Sequence, residues 1–204
     1  MKYPLFYNKV ETIRLHDPLS EFLGAIEQGE VEISYLDCVK LAGHSCPTVA
    51  GAYLMALKGL EALYGDSLPQ RGSIKVSMRE AEDEGVTGVI ANVMAFIVGA
   101  SGASGFKGIA GNFARNNLVA YSEVMVGEVT LTRLDTHASV TLSYNPSMIP
   151  ADPQMKPLMG KALQGVASVE EREQFGLLWQ ARVEQILLGT QHWEQMIKIS
   201  KELR

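Results

Sequence analysis

An α+β fold, with a mixed or antiparallel sheet packed against helices and a helical extension at the C-terminus, is predicted by three observations on this 204-residue chain. Short alternating apolar runs of strand period occur at 31–35, 73–78, 118–133 and 138–144, and stripes of helical spacing occupy 47–64 and 86–98 between them. Four of the eight prolines, Pro146, Pro150, Pro153 and Pro157, fall close together and mark a boundary. The organisation expected is therefore a domain over 1–145, a proline-rich linker over 146–157 and a helical extension over 158–204.

Asp17-Pro18, followed by Leu19, Phe22, Leu23 and Ile26, gives an N-cap, a proline in the first turn and apolar spacing of three and four. A helix ending near Gly29 follows from it. Val31, Ile33 and Tyr35 alternate with Glu32, Ser34 and Leu36 as a strand. From Pro47, the positions Ala50, Tyr53, Leu54, Leu57, Leu60 and Leu63 form a helical stripe, with Gly51, Ala52, Ala56 and Gly59 leaving room for close packing. Ile74, Val76 and Met78 mark the next strand, and 86–98 reads as a buried helix. Glycines 99, 102, 105, 108 and 111 then recur at every third position, without the prolines of a collagen repeat. This pattern predicts a close-packed loop, forming one wall of the cavity of a bound metal. Its main-chain N–H groups, with Lys107 and Arg115 nearby, offer the alternative of an anion nest. After the prolines, Ser168-Val-Glu-Glu171 has capping-box form ahead of a helical stripe through Leu187, and a further helical pattern runs over 193–203.

Composition narrows the function. Hydrophobic residues make up 47% and charged residues 20%, below the roughly 25% charged of an average soluble domain. A chain this apolar is expected to hide part of its surface in an oligomer. The formal charge is −5, with no Lys/Arg cluster, which argues against nucleic acid as a partner. The N-terminus lacks an apolar run of signal-peptide length and the least charged stretch is rich in small polar residues, so the expectation is a cytoplasmic protein with no membrane partner.

Chemistry concentrates in Cys38-Val-Lys-Leu-Ala-Gly-His44-Ser-Cys46-Pro47, which holds both cysteines and one of four histidines. Two thiolates and an imidazole suit zinc or another divalent transition metal, and the start of a helix favours the anionic form of Cys46. The alternatives are a metal-free thiol enzyme with Cys46 as nucleophile and His44 as its base, and a purely structural role for all three residues. Glu80, Glu82, Asp83 and Glu84 could supply a base for metal-bound water, and otherwise form a solvated cap before a helix. His137 stands where a strand begins. His16 and His192 read as surface or interface residues, and Phe175, Trp179 and Trp193 as core or contact residues.

Gly43-His44-Ser45-Cys46-Pro47, with Gly51 and the small-residue helix behind it, resembles the Gly-His-x-Cys-Pro motif of the formylmethanofuran dehydrogenase (FmdE-like) family. The resemblance continues in order through the strand at 73–78, the turn Glu82-Asp83-Glu84, the buried helix and the glycine-rich segment, covering residues 19–144. It implies an α+β domain, commonly a homodimer, that binds zinc or a similar ion through His44 and Cys46. Many members carry Gly where this chain has Thr48, and further cysteines in the acidic turn and glycine-rich segment that this chain lacks. Cys38 then becomes the replacement ligand, with Asp83, Glu84 and His137 as weaker candidates. The expected role is binding or transforming a small molecule at the ion, or serving a redox enzyme as an accessory partner.

Overall fold

The computed structural model describes residues 2–202. A 3-10 turn over Leu5–Lys9 leads to strand β1 (Ile13–His16), helix α1 (Pro18–Phe22) and strand β2 (Glu30–Ile33). β1 and β2 form an antiparallel pair, with Leu15 opposite Val31. Asp17 caps α1 as its sequence signals, accepting the N–H groups of Leu19 and Ser20 at 3.1 and 3.0 Å. This helix stops at Phe22, well short of Gly29, because Gly24 takes a left-handed turn with φ +64°.

The strand expected to run through Tyr35 also ends early, at Ile33. Ser34 and Asp37 form a capping box and start α2 (Tyr35–Ala42), which turns Tyr35 and Cys38 into the core. Gly43, left-handed at φ +75°, closes α2, and Pro47 opens α3 (Pro47–Tyr64).

β3 (Ile74–Met78), α4 (Thr87–Val98), β4 (Val119–Ala120), β5 (Val129–Arg133) and β6 (Ser139–Tyr144) follow. Beyond the prolines come α5 (Met155–Leu163), α6 (Val169–Leu188) with its expected Ser168–Glu171 capping box, the short α7 (Trp193–Met196), and β7 (Ile197–Glu202). The helix predicted over 193–203 is thus corrected. It gives way after Met196 to a strand, because the free edge of β6 supplies main-chain partners from Ser139↔Glu202 to Tyr144↔Ile197.

The fold is α+β, and its principal sheet is mixed: the order is β4-β3-β5-β6-β7, with β3 and β4 parallel and the other neighbours antiparallel. Strand alternation gives it two unlike faces. Ile74, Val76, Val129, Leu131, Val140 and Leu142 are buried on the face that α3 and α4 cover. Lys75, Thr130, Thr132, Ser139, Thr141 and Ser143 stand on the other, where Thr130 and Thr141 share a 2.8 Å hydrogen bond.

α3 is the centre of the molecule. It packs on α4, β6, α6 and α2, and from Val49 to Leu57 every residue is buried. Its small residues make this possible: a Cβ at Gly51 would overlap the ring of Tyr144, and one at Gly59 would lie 2.8 Å from Leu131. The fully buried Tyr53, Leu54 and Met55 each contribute about 1.5–3 kcal/mol of hydrophobic stabilisation. No helix among the described residues is long and apolar enough to cross a membrane.

Candidate functional site

The capping box at one end of α2 and Gly43 at the other fix where the next four residues go. His44 emerges exposed, and its ring nitrogen Nδ1 lies 2.9 Å from the carbonyl oxygen of Ala42. A carbonyl can only accept, so Nδ1 carries a proton, and the matching tautomer leaves Nε2 as the acceptor. Ser45 points the other way. Its buried hydroxyl meets Tyr35 Oη at 2.9 Å and donates to Gln180 Oε1 at 3.1 Å, while its carbonyl accepts from Trp179 Nε1 at 2.9 Å. Helix α6, through Trp179 and Gln180, therefore clamps the loop from behind.

Cys46 is the N-cap of α3. It is buried, and its sulfur accepts the N–H of Val49 at 3.4 Å. Cys38 lies on the inner side of α2 with no exposed surface. Burial, reinforced by the negative charge of Asp37, pushes its thiol up to about 12.

These placements overturn the metal-binding reading. Among the described residues no three His, Cys, Asp or Glu side chains come together as a site that could hold an ion. The physical reason lies in α2. Winding residues 35–42 into a helix turns Cys38 into the core, while the left-handed Gly43 turns His44 out to solvent and the cap geometry uses the sulfur of Cys46. His137 belongs to the turn between β5 and β6, with φ +60°, and faces the hydroxyl-bearing side of the sheet. Asp83 and Glu84 are exposed on the turn before α4. The zinc-dependent roles inferred for His44, Cys46 and Cys38 fall with the ligand set. The thiol-nucleophile alternative lacks its base, since no hydrogen bond among the described residues joins His44 to Cys46.

His44 instead borders a cleft of about 960 Å³. Leu41 and Ala42 from the end of α2 form one side, and Val89, Asn92, Val93 and Phe96 of α4 form the floor. The glycine-rich segment supplies the opposite wall from Ala100 to Ser104, and Val119, Tyr121 and Glu82 complete the rim. The wall is the close-packed loop expected from its composition. Gly99 ends α4 in the left-handed region, the N–H of Ser101 reaches the carbonyl of Arg115 at 2.8 Å, and the N–H of Leu118 reaches that of Ser101 at 2.9 Å.

The anion-nest alternative is not realised by Arg115. Its guanidinium turns behind the wall and binds Asp17 at 2.6 Å, beside Arg71, which binds the same carboxylate at 2.9 Å. Arg71 also donates to the carbonyls of Phe96 and Ile97 at 2.7 and 3.1 Å, tying down the end of α4. Burial pushes the Asp17 carboxyl up, but hydrogen bonds from the Ser20 N–H and the two guanidiniums outweigh it and hold the group at about 2.

On the cleft side, Tyr121 Oη donates to Glu82 Oε1 at 3.4 Å, and burial followed by the Glu82 charge raises its phenol pKa, so it remains a donor. Asn92 is exposed in a helix otherwise made of apolar and small residues. That one amide was the signal in the sequence for the floor of the cleft. Tyr121 carried none, because it follows a two-residue strand in a run that reads as continuous β-structure.

No protein-family model matches the chain, and no curated protein matches it significantly.

Proposed function

We propose that the protein binds a small organic molecule in this cleft, with His44, Asn92 and Tyr121 as its hydrogen-bonding contacts and α4 as its apolar seat. The observation that carries the reading is convergence. Polar groups from the end of α2, from α4, from the acidic turn and from the segment after β4 meet in one mainly apolar cleft, whose 960 Å³ lies within the range of about 300–1,000 Å³ typical of such sites. His44 adds direction, because its bond to the Ala42 carbonyl fixes which nitrogen faces a ligand.

Titration of isotope-labelled protein with a library of neutral, acidic and basic fragments tests the reading by amide and side-chain shifts. Hits are expected to perturb Asn92, Gly102 and Tyr121 together, and His44→Ala combined with Asn92→Ala is expected to weaken them about tenfold or more, the loss of one or two hydrogen bonds. Fragments that bind only elsewhere, or hits indifferent to the double substitution, would overturn it.

A further inference from the structure

Resting on the reading of the cleft as a ligand site, we infer that it selects organic cations, an ammonium group carried on an apolar body, over anions of the same shape. The lining is the basis. Among the described residues Glu82 is the only carboxylate that lines it, His44 is the only other ionisable side chain at its edge besides the Tyr121 phenol, and no lysine or arginine contributes. Arg115, whose carbonyl holds Ser101 in the wall, could have reversed this, but its guanidinium is committed to Asp17 on the far side.

Hydrogen-bonding capacity points the same way. With the Nδ1–H of His44 given to the Ala42 carbonyl, the tautomer that leaves Nε2 free presents it as an acceptor. Glu82 receives the Tyr121 hydroxyl on one oxygen, and its other oxygen makes no hydrogen bond among the described residues. The Asn92 side chain adds an amide oxygen, and Ser101 and Ser104 add hydroxyl oxygens. An ammonium group can donate to several of these at once. A carboxylate or phosphate would face Glu82 with only neutral donors to hold it. The rings of Phe96 and Tyr121 also line the cleft and favour a cation through their quadrupoles.

Three probes that share one ring separate the charge from the shape: benzylamine, benzyl alcohol and phenylacetate, each titrated at pH 7 and low ionic strength while the Asn92 and Gly102 signals are followed. Benzylamine is expected to bind about fivefold more tightly than benzyl alcohol, the worth of one exposed charge contact, with phenylacetate weakest. Glu82→Gln is expected to remove most of the advantage of benzylamine over benzyl alcohol. Raising the salt to about 0.5 M, where the screening length falls to about 4 Å, is expected to reduce that advantage too. Benzyl alcohol and phenylacetate binding in the cleft as well as benzylamine, or a preference that survives Glu82→Gln, would overturn the cation inference and leave the ligand site standing. Failure of all three to shift the cleft signals would overturn both.

Discussion

The two sides of the glycine-rich segment handle polarity in opposite ways. Behind it, Asp17 is 1% exposed and its carboxylate is saturated by two guanidiniums and two main-chain N–H groups. In front of it, His44, Asn92 and Glu82 stand open to solvent around an apolar floor, with hydrogen-bonding capacity left over. Saturated buried charge holds a fold in one arrangement, whereas unsaturated exposed polarity can exchange water for a ligand. The strongest electrostatics in this molecule are therefore architectural, and the groups free to recognise a ligand are the weakly held ones.

The sharpest way to break this contrast is Asp17→Ala. It strands two largely buried guanidiniums and is expected to cost about 3–5 kcal/mol, read as a lower urea midpoint at constant slope. Acid should reproduce part of that loss. The folded-state value of about 2 lies below the ordinary carboxylate value, so the stabilisation is complete above about pH 4 to 5 and disappears as pH falls towards 2. The expected size is about 2 kcal/mol, and Asp17→Asn should flatten this part of the stability profile relative to the parent protein.

Gly99→Ala probes the hinge between the two sides. Its φ of +70° disfavours a side chain, and the added Cβ would overlap Arg115 and lie 2.8 Å from Arg71 Cγ. A loss of about 1–3 kcal/mol is expected, together with displaced Gly102 and Ser104 amide signals. The smallest stability effect belongs to the cleft. His44→Ala, Asn92→Ala and Tyr121→Phe should each stay within about 0.5 kcal/mol of the parent by thermal or chemical unfolding, because His44 and Asn92 are exposed and Tyr121→Phe keeps the ring that packs against the core. A larger cost at any of them would erase the contrast between the two sides.

Much of this architecture was legible along the chain. The stripe through Tyr53, Leu57 and Leu60 marks α3, alternation at Ile74, Val76 and Met78 marks β3, and the apolar run before Gly99 marks α4. Two local misreadings share one cause, a short period extended past the point where another interaction takes over. Val31 and Ile33 made Tyr35 look like the next inward residue of a strand, although Ser34 and Asp37 already carried a capping box. In the second, Trp193 to Met196 set up a helical period that the edge of β6 then overrode, drawing Ile197 and Ile199 into β7. For the site, His44 and the glycine wall were both visible, but the metal they suggested depended on Cys38 and Cys46 facing His44. Spacing in sequence does not decide that.

The chain by itself determined its α+β class, its central small-residue helix, the caps at Asp17 and Ser168 and the tight glycine turns, because each rests on periodicity or on contacts within a few residues. Packing set the rest: Cys38 turns inward, His44 turns out to the cleft that Asn92 and Tyr121 also line, and Arg115 leaves the glycine loop for Asp17. Those outcomes depend on which distant groups are close enough to satisfy a buried charge or accept a free hydrogen bond, and such distances arise only once α2, α3 and α4 have packed.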